Sequence, residues 1–348
     1  IRWSSMRLIR DVTDVISNAS VLLLAVVVLC AGLSFSVFAQ EAQPPAKEPE
    51  RVTIGIHVND IQEIDLKTHS YRLDFYVWFR WKNPEMNPAK SVEFMNSFEP
   101  ENHVRSSLYD EPQKMPDGSL YMILRERGKF SSKFPLQQYP FDKQKLFILV
   151  EDSVYGSDAL VYTPDKTTAS PITINKDINV PGFEVGTPAL TMGMFFYDTT
   201  FGDLNFDGGT QYSRAYFTVP LERPQLSMAV KIFLPILLIL VCTAMVFFVH
   251  PVYVEGRLGV VITALLTLVA LQLTSTSSLP DVDYLLLTDK VYLLAYLFII
   301  VTLWHVVRTS ARAKAESFDR LLRSNIYALL LVVALLSAGC FVIFYTSF

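Results

Sequence analysis

EGRLGVVITALLTLVALQLTSTSSLP, residues 255–280, is apolar enough to enter a bilayer. It nevertheless keeps a stripe of small or hydroxylated residues at helical spacing, Gly259, Thr263, Ala270, Thr274 and Ser277, interrupted by Leu266 and flanked by Glu255 and Arg257. A helix that met only lipid would have no use for a hydroxyl stripe, because each buried hydroxyl must find a partner or water. Two readings are open. The stripe lines a water-filled pore, or it serves close packing in a bundle with its hydroxyls bonded to carbonyls three or four residues back.

The composition of the whole chain fits a membrane setting. Of 348 residues 51% are hydrophobic, and the mean hydropathy of +0.31 is too high for one ordinary soluble domain. A polar region at 51–223 separates an apolar N-terminal run from a C-terminal part made largely of apolar stretches. The net charge of -4 and the lack of a basic stripe in the polar region argue against a nucleic-acid partner. Cys30, Cys242 and Cys340 all lie in apolar runs, so the polar region cannot be held by disulfides or by a thiolate metal site.

Residues 1–39 read as a signal peptide: Arg2, Arg7 and Arg10 precede the apolar run Val21 to Leu33, and Val37-Phe38-Ala39 places small residues where a signal peptidase cuts. The alternative is a retained first membrane helix. Either way the proline-rich linker 40–50 leads into an exported domain. From 51 to 223 the hydrophobic period is two, as in VTIGIHV (52–58), YRLDFYVWFRW (71–81), SLYMIL (119–124), KLFILV (145–150), VGTPALTMGMFFY (185–197) and SRAYFTV (213–219). Turn-formers such as Asn83-Pro84 and Pro116-Asp117-Gly118 bound these segments. With no helical stretch long enough for a βαβ crossover, about eight to ten strands predict two antiparallel sheets face to face, an all-β, immunoglobulin-like extracellular sandwich.

Residues 224–348 predict a four-helix transmembrane bundle, with helices at about 225–249, 256–278, 285–307 and 322–346. The connector 308–321 and the residues after it are rich in Arg and Lys, whereas the link from 279 to 289 carries Asp281, Asp283 and Asp289. The positive-inside rule makes the basic connector a cytoplasmic loop, which places the sandwich and the C-terminus outside.

Taken together, several motifs resemble one family. Tyr139-Pro140-Phe141-Asp142 is followed by Gln144, Leu221-Glu222-Arg223 leads into the first span, Arg257-Leu258-Gly259 opens the second, and Leu279-Pro280 closes it. In this order and at these separations they resemble the pentameric ligand-gated ion channels of the Cys-loop receptor superfamily, in a prokaryotic form, from about Arg51 to the end. Ser132 and Leu146 stand where the animal receptors place the paired cysteines of the signature loop, so the loop disulfide is absent. The short connector 308–323 stands where those receptors carry a large cytoplasmic domain.

The resemblance implies a homopentamer around a central pore, each chain having four identical subunits as partners beside membrane lipid, and passive conduction with no cofactor. The second helix would turn Glu255, Gly259, Thr263, Leu266, Ala270, Leu273 or Thr274, and Ser277 toward the axis, with Leu266 as a hydrophobic gate. Ion sign has conflicting cues. Arg257-Leu258-Gly259 resembles the anion-conducting branch, while Glu255-Gly256 replaces that branch's Pro-Ala and an acidic ring there favours Na+ or K+. By family position the agonist would bind between subunits, with Tyr155, Tyr197 and Phe201 on one face and Tyr76, Trp78 and Tyr121 on the other. Such a face suits a small amine through cation-π attraction. Glu184, Asp198, Asp203 and Asp207 make a proton or a divalent cation competing stimuli, and no metal ligand set is assigned. Coupling to the pore would run through Glu63, Asp65, Tyr139, Pro140, Phe141, Asp142, Arg223 and Pro280, with Arg223 paired to Asp142 or to Asp65.

Outside the channel class, a membrane-anchored periplasmic binding module would explain the sandwich but leave the hydroxyl stripe without a task. An enzyme is disfavoured. His57, His69, His103, His250 and His305 have no metal-ligand spacing, and the chain has no nucleophile elbow or phosphate loop.

Overall fold

In a computed structural model of the chain, which describes residues 48–202, 204, 209–313 and 318–347, the period-two segments become the strands of two packed sheets. The expected signal peptide 1–39, residues 40–47 of the linker, Asp203, Asp207 and Lys314 lie outside the described residues. Strand β2, Ser70–Trp81, shows how sequence becomes sheet. Tyr71, Leu73, Phe75, Val77, Phe79 and Trp81 are buried, while Arg72, Asp74, Tyr76, Trp78 and Arg80 face outward.

The larger sheet contains β1 (Glu50–Asp65), β2, β4 (Ser97–Phe98), β5 (Val104–Ser107), β6 (Gln113–Lys114), β7 (Leu120–Ser131), β9 (Leu160–Pro164) and β10 (Ile172–Ile174). The smaller contains β3 (Val92–Phe94), β8 (Lys143–Asp152), β11 (Glu184–Val185), β12 (Ala189–Tyr197) and β13 (Thr210–Glu222). Their inner faces share one apolar core that includes Phe75, Phe130, Ile148 and Phe217.

Two expectations need correction. The sheets are not purely antiparallel, because β1 pairs in parallel with both β9 and β10. The chain crosses to the other sheet as β8 before returning beside β1, and such a long connection permits a parallel pair where a hairpin cannot. The strands also outnumber the expected set. The additional ones, such as β4, β6 and β11, are two residues long and carry no readable period.

The apolar C-terminal part forms four helices long and apolar enough to cross a membrane. Helix α1, Gln225–Ala244, contains Pro235 and passes into a 3-10 turn at Met245–Phe248. It is followed by α2 (Val254–Thr276), α3 (Leu287–Arg312) and α4 (Phe318–Ser347). Both ends of the basic connector are helical, since α3 continues to Arg312 and α4 begins at Phe318, and 314–317 between them lie outside the described residues. Ala311 and Arg312 are good helix formers, and cations at a helix C-terminus favour its carbonyl end. From Pro49 onward the described residues belong to one compact unit, so the sandwich and the bundle meet directly.

Candidate pore helix, coupling layer and hairpin site

Helix α2 has two unlike faces. Arg257, Val261, Ala264 and Leu268 are buried against the other helices at offsets of four, three and four. Glu255, Gly259, Thr263, Leu266, Ala270, Leu273, Thr274 and Ser277 are all exposed in the chain, Leu266 at 64% and Leu273 at 68%. A Cβ added at Gly256 or Gly259 would meet nothing within 4 Å, so these glycines do not serve close packing within the chain. Thr274 donates to the carbonyl of Ala270 and Ser277 to that of Thr274, which leaves their oxygen lone pairs free to accept on the exposed side. Beside this face a groove of about 610 Å³ runs between α1 and α2, lined by residues including Ile239, Cys242, Gly259 and Thr263.

Arg257 points the other way. It is fully buried behind α2, where Nη1 donates to the hydroxyls of Thr309 (3.1 Å) and Ser310 (3.4 Å) on α3. Its Nε and Nη2 have no hydrogen-bond partner among the described residues. The last turn of α3 supplies negative carbonyl ends near this guanidinium, a favourable placement for a cation.

Where the sandwich meets the bundle, Arg223 Nε donates to Asp142 Oδ1 at 2.8 Å, with side-chain exposures of 7% and 2%. The guanidinium lies between the rings of Phe183, 4.3 Å away, and Tyr139, 5.1 Å away. Gln144 Nε2 donates to the second oxygen of Asp142 and to the carbonyl of Pro135. Of the two carboxylates considered for Arg223, it is therefore Asp142 that takes it. Asp65 instead accepts from the backbone of Lys67 and Thr68 in its own turn, and hydrogen bonding from Thr68 holds its carboxyl below the usual value. Glu63 is exposed and pairs with Arg72 at 3.1 Å.

The signature loop holds both halves of the bundle's outer end. The Tyr139-Pro140 bond is cis, and Phe141 lies against Phe233 of α1 and Phe344 of α4. The Leu136 amide donates to Tyr284 Oη, the Leu287 amide donates to the carbonyl of Gln137, and Gln138 Nε2 donates to the carbonyl of Ser347. Leu136, Leu279 and Leu286 form a small buried cluster, with Leu66 and Tyr139 packed against it. Pro280 is half-buried beside Leu279.

Of the aromatic residues named from the sequence, Tyr197 and Phe201 lie on the outward side of the smaller sheet and its hairpin, Tyr76, Trp78 and Tyr121 lie on the outward side of the larger sheet, and Tyr155 packs against the sandwich core. Tyr197 packs against Phe201 (ring centroids 5.4 Å apart) and Tyr212 (5.8 Å) at the β12–β13 hairpin, while Phe201 is 68% exposed with φ +54°. Tyr155 is half-buried at the end of β8, its amide bonded to Asp152. Tyr76 and Trp78 on β2 and Tyr121 on β7 belong to the other sheet. Tyr76 lies under the guanidinium of Arg125, which is itself bidentate to Asp74. Trp78 donates to Asp165 at 2.8 Å, and its indole covers Gly55, where a Cβ would clash.

Two residues that the sequence reading does not single out belong to the hairpin site. Arg214 and Glu151 form a buried ion pair beneath Tyr197, whose hydroxyl donates to Glu151 Oε2 at 2.9 Å and accepts from Arg214 Nη2 at 3.0 Å. Burial first, then the bond to Glu151, push the Tyr197 phenol above its ordinary value. The available signal is the alternation in β13, which sets Arg214 between Tyr212 and Tyr216 on one face. Among the described residues no group of three or more His, Cys, Asp or Glu side chains could hold a metal ion.

No family model matches the chain. Among curated proteins it is similar to a proton-gated ion channel of Gloeobacter violaceus, 23% identical over 300 residues, covering 80% of this chain and 79% of that protein. It is also similar to the gamma-aminobutyric acid receptor subunit rho-3 of Homo sapiens and of Rattus norvegicus, 21% and 20% identical over 316 residues, covering 84% of this chain and 66% of each receptor. The sandwich, the four apolar helices that follow it and the signature loop set against the bundle accompany this similarity to an ion channel and to receptor subunits, and Cys242 and Cys340 are not joined in a disulfide.

Proposed function

We propose that five copies of the chain form a ring whose axis is lined by α2, and that this ring conducts cations, Na+ or K+, passively when a stimulus reaches the exported sandwich. One observation carries the reading. The face of α2 that bears Glu255, Gly259, Thr263, Leu266, Ala270, Leu273, Thr274 and Ser277 is exposed and packs against no other element among the described residues, while the opposite face is buried. In a ring each of these residues counts five times. Thr263 hydroxyls replace part of an ion's hydration shell, and the Leu266 side chains form an apolar constriction that expels water.

The division of labour follows the two halves of the chain. Residues 51–223 sense the stimulus and residues 224–348 conduct, with 1–39 removed as a signal peptide in the bacterial inner membrane. Tyr155, Tyr197 and Phe201 of one copy face Tyr76, Trp78 and Tyr121 of the next. The name of the Gloeobacter relative supports a proton as the stimulus. Glu63, Asp65, the loop Tyr139 to Asp142, Arg223 and Pro280 carry the signal to the outer end of α2.

Ion sign is decided at the inner mouth. Glu255 is exposed at the start of α2, so five carboxylates create a negative field that concentrates cations. Arg257, the residue that favours anion conduction in sequence, is buried on the far side of the helix against α3. Reversal potentials in asymmetric NaCl test this. Wild type should reverse near the Na+ equilibrium potential, and Glu255→Ala should shift the reversal toward zero. Reversal of the wild type near the chloride potential would reject cation conduction, whereas cation selectivity kept by Glu255→Ala would reject only the carboxylate ring.

A further inference from the structure

We propose that Arg214 is the resident cation of an aromatic cage beneath the β12–β13 hairpin, and that it closes this face of the protein to organic cations. The inference rests on reading the hairpin as the ligand face. A receptor for an ammonium or guanidinium group needs a π face, a counter-charge and a polar acceptor. Here all three are present and all three are already engaged by the chain itself. The Arg214 guanidinium carbon lies 3.6 Å from the centroid of the Phe195 ring and 5.8 Å from that of Tyr216. Its Nε donates to Glu151, and its Nη2 donates to the Tyr197 hydroxyl at 3.0 Å.

Arg214 belongs to the outward side of β13, since its neighbours Ser213 and Ala215 are buried and Ala215 joins the sandwich core. Its own exposure is nevertheless only 7%. The cage, and not the core, covers it. An incoming amine would have to displace a tethered guanidinium, whose effective concentration is on the order of millimolar or higher. It would also have to break a charge-assisted bond to a carboxylate that is 4% exposed. Small amines at micromolar levels cannot compete on those terms, so a stimulus acting at the hairpin carries no organic cation into this cage. Arg214 thus sets specificity by exclusion, a repulsive element in place of a clash.

The test uses methylguanidinium as the probe and the full chain in detergent, read by titration calorimetry and by the shift in thermal unfolding. Wild type should show no saturable binding. Arg214→Ala leaves a guanidinium-sized space lined by Glu151, Tyr197 and Phe195, and should bind the probe at least tenfold more tightly than wild type. Adding Glu151→Gln should abolish the gain. If Arg214→Ala does not fold alone, production in the presence of methylguanidinium should restore folded protein. The proposal is overturned if wild type binds the probe in a way that Tyr197→Ala removes. It is equally overturned if folded Arg214→Ala gains no binding, or if the probe fails to rescue an unfolded one. None of these readouts requires conduction, so a failure of the ion-channel reading would appear separately, as absent flux in liposomes.

Discussion

Leu266→Thr is expected to conduct without stimulus. Leu266 is 64% exposed on the free face of α2, between Thr263 one turn before and Ala270 one turn after. In a ring its side chains are the bulkiest apolar groups on that part of the axis, and a narrow apolar collar excludes water and ions together. Replacing an isobutyl group by the smaller hydroxyethyl group of Thr lowers the cost of wetting by roughly 1 kcal/mol per copy. Five copies sum to about 5 kcal/mol, which moves the opening equilibrium by roughly 4 × 10³-fold. Resting conductance at matched surface expression reads this directly. A folded, surface-expressed variant whose resting conductance and stimulus dependence are both unchanged would remove Leu266 as the gate.

The second large effect is expected at Arg223. Its pairing with Asp142 is buried on both sides, and removal of one partner from such a pair costs about 3–5 kcal/mol because the other charge is left uncompensated. Arg223 precedes α1 directly, and Asp142 ends the loop whose Phe141 lies against α1 and α4, so the pair ties the sandwich to the bundle. If the pair differs between closed and open arrangements, Arg223→Gln changes the gating balance as well as the fold. The Leu266→Thr background gives a readout that needs no known agonist. There Arg223→Gln should lower the standing conductance at least tenfold, and adding Asp142→Asn should restore much of it, because no buried charge then lacks a partner. Strict additivity of the two substitutions, or conductance unchanged by either, would reduce the pair to a fastening.

How far the sequence discloses this arrangement depends on the range of the interactions. The two faces of α2 are legible because helical spacing alone separates Gly259, Thr263, Leu266 and Ala270 from Val261, Ala264 and Leu268. The same spacing puts Arg257 behind the helix, though not its bonds to Thr309 and Ser310, which lie some fifty residues away and on a part of α3 that reads as loop. Strand β2 is legible residue by residue, yet the parallel pairing of β1 with β9 and β10 is not, since nothing local in Leu160–Pro164 encodes its neighbour. The hairpin behaves likewise. Tyr197 and Phe201 can be placed by position, whereas the Glu151–Arg214 pair joins residues 63 apart on two strands that each look ordinary. The choice between Asp65 and Asp142 for Arg223 also turned on tertiary geometry, because both carboxylates sit in loops near the same plane.

The most direct measurement is thiol accessibility along α2 during conduction. In a background with Cys30, Cys242 and Cys340 replaced by serine, single cysteines are placed at Gly259, Thr263, Leu266, Ala270 and Thr274, and separately at Val261, Ala264 and Leu268. A water-soluble, positively charged thiol reagent should block current in the first set, with the helical period of the exposed face, and leave the second set untouched. Block that follows the buried set, or modification of the exposed set with no effect on current, would show that ions do not pass along this face of α2.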